Sequence, residues 1–395
     1  MAVLANAVGA LGVDVTYVAN EAMSARRASQ GWSSPEMRNV QTLIARSSQE
    51  VDDAVAAARA DAIHLCQGLR GNGLVGKAQS ALRRSGARQW AIMETIDDAG
   101  LRGAVKRAAY RSLLLRWNRY LEGILTIGWQ TPKWLVARGA DPDRVVPFAY
   151  FLPEPSHTNE GNGSARSAFR FLFVGQLIEL KRVDQLIKGI AAIADGAVEL
   201  VIIGDGRKRA EWQSLADSLL PGQVKWMGRL PMTDIPAWMA DSDCLVLPSQ
   251  HDGWGAVVSE ALMAGTPVIC SDACGSAGVV KASGVGGVFK RDDFTDLTQH
   301  LRGVMRGGRL AVADRSRLRR WAKALGAAEG ARYRNQRPSI TLPRHPQRGW
   351  SCCRRGPVGD GQHGVQVSQP RVGDNNVRPV VDQRFVFARH RRREI

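Results

Sequence analysis

Apolar and polar positions along this chain alternate between two periods. Short apolar runs closed by Gly or Pro read as buried strands, and stretches with apolar residues three and four apart read as helices. The opening LANAVGALGVDVTYVAN predicts the end of a helix (Leu4, Val8, Leu11), a stop at Gly12 and a strand from Val13 to Val18. A strand (AIHLC) follows from Asp61, then a loop with Gly68, Gly71 and Gly73, a helix from Val75 to Ser85 and a strand from Gln89 to Met93. Next come a helix from about Leu101 to Leu121, a strand ILTIG and a helix from Thr131 to Gly139. From Phe169 the pattern restarts with strands FRFLFVG, VELVIIG, VKWMG, CLVLP, TPVIC and GGVFK. Helical segments separate them; in Val183–Ala194, Leu186, Ile187, Ile190 and Ala191 share one face. A last helical pattern spans roughly Asp314 to Arg334. Strands alternating with helices predict an α/β fold with parallel sheets covered on both faces.

The 395 residues suffice for two domains with separate cores. Residues 153–168 are polar and rich in Pro, Gly and Ser, so they read as a linker between a domain at 1–152 and one at 169–335. After Gln336 the periodicity vanishes, and residues 336–395 are expected to be a disordered Arg-rich tail. Residues 337–395 hold twelve Arg, no Lys and four acids, a net of +8, so about +9 of the total +17 belongs to the body. No nucleic-acid motif accompanies that charge, which sets nucleic acid aside as a partner. No run of 18 apolar residues and no secretory leader is seen, and the six cysteines have neither disulfide nor zinc spacing. A reducing cytoplasm is the expected location.

Chemistry concentrates in LPSQHDGWGAVVSEALMAGTPVIC, residues 247–270. A buried strand ends at Pro248 and Ser249, and a helix should begin at Gly253-Trp254-Gly255-Ala256, where backbone N–H groups can approach a ligand closely. Asp252 lies just before that helix and Glu260 within it. Carboxylates accept from sugar hydroxyls, while a helix N-terminus favours phosphate. A sugar joined to a nucleotide diphosphate offers both.

This segment resembles the motif of family 4 retaining glycosyltransferases (glycosyl transferases group 1), in which two glutamates eight positions apart bracket a Gly-aromatic-Gly turn. Asp252 stands at the first glutamate's place and must reach one methylene further; Glu260 matches the second. VGQLIELKR (Val174 to Arg182) resembles the family's Gly-Arg-x-x-x-x-Lys element, whose cations clamp the donor diphosphate. Gly175 and Lys181 match it, whereas Gln176 replaces the arginine by an amide donor. Gly204-Asp205-Gly206 is similar to a turn beside the nucleotide, and Gly228 and Arg229 occupy the place of a base-contacting loop.

The resemblance implies a GT-B architecture, two Rossmann-like domains facing across a cleft, with an N-terminal domain that lacks its first strand and glycine-rich loop. It implies transfer of a hexose from a nucleotide-diphosphate sugar to an acceptor hydroxyl, with retention, in polysaccharide or glycolipid assembly. Asp252 would fix sugar hydroxyls, Glu260 the ribose and Lys181 the diphosphate. No cofactor and no metal is expected, since no Asp-x-Asp element is found. Glu94 and Asp97, after a strand end, are expected to line the cleft, and His64 to be a core residue. The acceptor would be a glycan or lipid-linked. The basic stretch 101–121 reads either as a peripheral contact with the inner face of a membrane or as a surface helix with a charged outer face. The alternative function is a non-catalytic nucleotide-sugar-binding relic, suggested by Gln176, the missing strand and the tail.

Overall fold

The computed structural model describes residues 1–23, 36–69, 73–154, 166–193 and 197–335. The expected tail and most of the expected linker lie outside these residues, as do Gly71 and Ala194. Chain order begins with α1 (Ala2–Gly9), β1 (Thr16–Ala19), β2 (Gln41–Ile44) and α2 (Ser48–Ala56). It continues with β3 (His64–Gln67), α3 (Leu74–Ser85), β4 (Gln89–Glu94), α4 (Gly100–Trp117), β5 (Gly123–Ile127), α5 (Thr131–Val136) and β6 (Val145–Phe148). Parallel pairing groups these strands into two sheets, β1-β2 and β3-β4-β5-β6. Among the described residues β1 pairs only with β2 and β3 only with β4.

The second half holds β7 (Phe169–Val174), α6 (Val183–Ala191), β8 (Val198–Ile203), α7 (Arg209–Leu219), β9 (Val224–Gly228) and α8 (Ile235–Ala240). It closes with β10 (Cys244–Leu247), α9 (Ala256–Met263), β11 (Val268–Ser271), α10 (Ala277–Ser283), β12 (Gly286–Phe289), α11 (Phe294–Gly307), α12 (Val312–Ala322) and α13 (Ala327–Asn335). The six strands form one parallel sheet in the order β12-β11-β10-β7-β8-β9. The fold is therefore mixed α/β with parallel sheets, as the alternation predicts.

Central strands β7, β8 and β10 are apolar on both faces because helices cover both sides, and Phe171, Leu172, Phe173, Leu200, Val246 and Leu247 are all buried. At the strand starts, opposite the loops discussed below, a buried charge cluster pins the sheet. Asp243 accepts from the Arg170 backbone N–H at 2.8 Å and lies 3.3 Å from Arg309 and 3.6 Å from Arg166 and Arg315. Several cations around one buried carboxylate satisfy its lone pairs, which burial otherwise makes costly.

One predicted element needs correction. The pattern from Asp314 to Arg334 is two helices, α12 and α13, with a short 3-10 turn at Lys323–Leu325 and an extended Gly326 between them. The break lets Leu152 pair with residues 325–327, its N–H bonding Leu325 O at 3.1 Å and its carbonyl accepting from Ala327 N at 2.9 Å. Helix α13 thereby returns to pack on α1. The Phe151 ring fills the space beside Gly330, where an added Cβ would come within 2.4 Å.

Candidate functional site

In the six-stranded sheet the order reverses between β7 and β10, which lie side by side. The loops leaving these strands diverge to opposite faces and open a crevice, the usual ligand position in such sheets. The loop after β7 carries Gly175, Gln176 and Lys181; the loop after β10 carries residues 248–255. They are stitched together by Gln250 N–H to Leu180 O at 2.8 Å and by an ion pair, Lys181 Nζ to Asp252 Oδ2 at 2.5 Å. Two residues 71 positions apart thus meet at the mouth of the crevice.

The glycines of the adjoining turns serve close approach of backbones. A Cβ on Gly204, whose φ is +139°, would lie 1.8 Å from Gly175 O, and one on Gly206 would lie 2.4 Å from Leu177 O. Gly204 N–H bonds Gly228 O at 2.7 Å, and Leu177 N–H bonds Asp205 O at 3.0 Å. Asp205 also accepts from Gly206 N–H at 2.8 Å and lies 3.8 Å from Arg209 Nη1. The loops after β7, β8 and β9 therefore form one continuous rim that includes Gly228 and the exposed Arg229. Gln176 is half-buried and its side chain makes no hydrogen bond among the described residues. Arg182, next to Lys181, is turned away onto Asp184 and Asp292, each at 3.2 Å.

Gly255, at φ +82°, caps α9 from the left-handed region; Val258 N–H bonds Gly255 O at 2.9 Å, and the Ala256 and Val257 amides are left at the open first turn. Trp254 does not face it. Its ring is buried, donates from Nε1 to Ser259 Oγ at 3.1 Å and meets Tyr150 edge-on at 6.4 Å. Glu260 lies on α9 with no cationic partner among the described residues, and burial alone pushes its carboxyl up to about 7.

The first half reaches the same place through its strand ends. Glu94, the last residue of β4, presses its carboxylate against Gly253, where an added Cβ would stand 2.3 Å from Oε2. Burial, and secondarily the charge of Asp252, raises its carboxyl. Gly128, after β5, approaches Gly253 and Gly275 so closely that a Cβ there would lie 2.8 Å from Gly253 O. Gly275 in turn would meet Gly253 O at 1.9 Å with any Cβ, so three glycines share one backbone contact. Trp129 N–H bonds Gly275 O at 2.8 Å, and Gln130 Nε2 bonds Asp272 O at 2.7 Å.

Of the sequence-predicted residues, Lys181, Asp252, Gly253 and Glu94 come together; Trp254 contributes backbone only. His64 sits in β3, its Nδ1 3.1 Å from Arg88 O, away from this cluster. His251 was not singled out, although it directly precedes Asp252. It is half-buried, and burial lowers its pKa against the opposing pull of Asp97, Asp252 and a hydrogen bond that the ring donates to the Thr95 backbone carbonyl. Asp97 therefore does approach the loop after β10. No group of three or more His, Cys, Asp or Glu among the described residues is arranged to hold a metal ion.

A parallel α/β sheet with a ligand crevice at its switch point, faced by a second parallel sheet, defines the GT-B class. Residues 158–324 match the sequence model of the family described as glycosyl transferases group 1. The chain is 36% identical over 147 residues to a GDP-mannose-dependent alpha-mannosyltransferase of Mycobacterium tuberculosis, covering 36% of each protein. It is 32% identical over 158 residues to a D-inositol 3-phosphate glycosyltransferase of Thermomonospora curvata, covering 34% of this chain and 37% of that one. A 2-deoxystreptamine glucosyltransferase of Streptomyces kanamyceticus is 34% identical over 99 residues, 24% of this chain and 26% of that one. The matches thus span from about a quarter to a little over a third of these relatives' lengths. Among solved structures, Anabaena HepE in complex with UDP superposes with a TM-score of 0.62 at 14% identity, over 82% of this chain and 99% of that one. WaaG, a glycosyltransferase involved in lipopolysaccharide biosynthesis, gives 0.53 at 18% identity, over 84% and 93%. These two likenesses are of fold.

Proposed function

We propose that this protein is a retaining glycosyltransferase that moves a hexose from a nucleotide-diphosphate sugar to an acceptor hydroxyl in polysaccharide or glycolipid assembly. The observation that carries the reading is the Lys181–Asp252 pair across the switch-point crevice, beside the open N-terminus of α9 and Glu260. In this reaction the bond from the anomeric carbon to the diphosphate oxygen breaks, and its electron pair leaves with the diphosphate. Charge developing there is met by Lys181 and the α9 amides, already fixed in place before reaction. Asp252, oriented by Lys181, accepts from sugar hydroxyls, and Glu260 accepts from the ribose. Gly204, Asp205, Gly206, Gly228 and Arg229 border the nucleotide on the rim, and Gln176 offers an amide to the phosphates.

A donor screen with UDP- and GDP-linked hexoses tests the reading, run with and without a strong chelator. Transfer or donor hydrolysis should appear and persist in chelator, because cationic side chains and amides meet the leaving group. Loss in chelator with rescue by magnesium or manganese would overturn metal independence. A nucleotide that binds without turnover would instead favour the non-catalytic relic, for which the unbonded amide of Gln176 speaks.

The same reading includes peripheral attachment to an anionic membrane surface through residues 101–121, where a lipid-linked acceptor is presented. Helix α4 contains no acid, and its exposed surface carries an apolar stripe among the cations: Leu101, Val105 and Leu115 are 92%, 72% and 60% exposed. Arg102, Arg111 and Arg116 flank the stripe without carboxylate partners among the described residues. An apolar stripe with cationic shoulders suits an interfacial helix. No helix among the described residues is long and apolar enough to cross a membrane. Co-sedimentation should show binding to vesicles containing phosphatidylglycerol and much weaker binding to pure phosphatidylcholine. Replacing Leu101, Val105 and Leu115 together by Ser should abolish it; equal binding by that variant would refute the contact.

A further inference from the structure

Trp129 is the only exposed tryptophan among the described residues, at 53% exposure, and it stands at the crevice. Leaving so large an apolar ring in water forgoes the burial that Trp90, Trp212 and Trp254 obtain. The ring is nevertheless held in place. Its backbone N–H is tied to Gly275 O, and the preceding Gly128 abuts the Gly253 turn, one residue from Asp252. The ring rests against Gly278, where an added Cβ would come within 2.6 Å of Cε3, and Lys281 Nζ lies 5.0 Å from the ring centroid. A cation at that distance and a glycine beneath the ring orient it while leaving much of it open. Gln130, hydrogen-bonded to Asp272 O, fixes the loop on its other side.

Resting on the glycosyl-transfer reading, we propose that Trp129 is the platform for the acceptor's sugar: the C–H face of a pyranose ring stacks on the open indole surface. Several features point to a carbohydrate. The indole is flat and rigid, so it loses little entropy on contact, and a pyranose presents an apolar C–H face with polar hydroxyls around its edge. The position also suits an acceptor and not the donor nucleotide. Trp129 extends from β5 of the first half, whereas the rim residues and Lys181 belong to the loops after β7, β8, β9 and β10.

The test compares wild type, Trp129→Ala and Trp129→Phe, the last keeping an aromatic face should the alanine variant fold poorly. Saturation-transfer NMR with methyl α-mannoside and methyl β-glucoside reads binding directly and needs no turnover. Wild type should transfer saturation to the ring protons of at least one glycoside, Trp129→Phe less, and Trp129→Ala none. With a donor found active in the screen, acceptor KM should rise about tenfold in Trp129→Ala. Donor hydrolysis without acceptor and nucleotide affinity should stay as in wild type. Unchanged saturation transfer or unchanged acceptor KM would overturn the platform. So would a parallel loss of nucleotide affinity, which would mean that Trp129 merely braces the crevice. Absence of hydrolysis and transfer from every donor would count against the glycosyl-transfer reading itself, while the NMR comparison would still decide on the platform.

Discussion

Glu260→Ala is expected to abolish transfer and to weaken nucleotide binding about a hundredfold, while the chain stays folded. A carboxylate that accepts two hydroxyl hydrogen bonds contributes roughly 1.5–3 kcal/mol for each, and the lower end of that range for the pair corresponds to about a hundredfold. The fold should tolerate the change because Glu260 has no ion-pair partner to strand among the described residues. Its pH behaviour makes the assignment sharper. Burial raises the Glu260 carboxyl to about 7, well above its ordinary 4.5. The folded chain therefore holds a proton there that the unfolded chain has released. The group opposes folding progressively as pH rises from about 4.5 to about 7, with the full cost above that window. Glu260→Gln should remove this part of the slope and raise the melting temperature at pH 8. Ribose hydroxyls donating to the carboxylate favour its ionised form, so nucleotide affinity in wild type should climb between pH 6 and 8. The glutamine variant should lack the component that wild type owes to Glu260. Calorimetry with UDP and GDP across that range decides; identical pH profiles, or unchanged affinity in Glu260→Ala, would sink the ribose role.

Lys181→Ala should lower turnover by about 10²–10³, the usual scale for removing one fixed donor from a charge-developing site. Asp252 would lose the ammonium group 2.5 Å away that orients it. Donor KM should therefore rise as well, by a smaller factor. Lys181→Arg should restore little, since a planar fork does not replace a compact point charge at this spacing. Turnover within threefold of wild type in Lys181→Ala would show that the diphosphate is stabilised elsewhere. Because Lys181 and Asp252 act as a unit, the double variant should be scarcely worse than the worse single one.

Much of this was readable in the chain, for identifiable reasons. The strands of the second half are short, mostly apolar runs, so their type was readable once two-sided burial was recognised, whereas the order in which they pair was not. Glu94 was found because the residue at the end of a parallel strand faces the crevice. The pairing of Lys181 with Asp252 was not legible, since one was assigned to the diphosphate and the other to the sugar, and only the β7–β10 reversal brings them together. Trp254 looked like a ligand contact because its two glycines mark a close approach. Which way its ring turns depends on Ser259 and Tyr150, and spacing does not encode that. His251 escaped notice between better-marked neighbours. In α4 the basic residues are exposed as their count suggested, and Leu101, Val105 and Leu115 share that surface with them, which the count alone does not reveal. The end of α12 was missed because helical periodicity runs on across Gly326, whose extended backbone is set by its bridge to Leu152.

The meeting point of Gly128, Gly253 and Gly275 has a consequence for exchanging parts between related proteins. Here the two halves touch main chain to main chain, with no interposed side chain that could adapt its rotamer to a new neighbour. A chimera that joined this first half to a foreign second half would fit only if the foreign turn also lacked Cβ atoms at the matching positions. A single methyl group at Gly128 would stand 2.8 Å from Gly253 O and 3.1 Å from Gly275 Cα and hold the pieces apart. At this point compatibility turns on the missing side chain of Gly128 and on the bare turns at Gly253 and Gly275 that face it, and a transplant that ignores them would misalign Glu94 and Trp129 against Asp252 even if both sheets folded well.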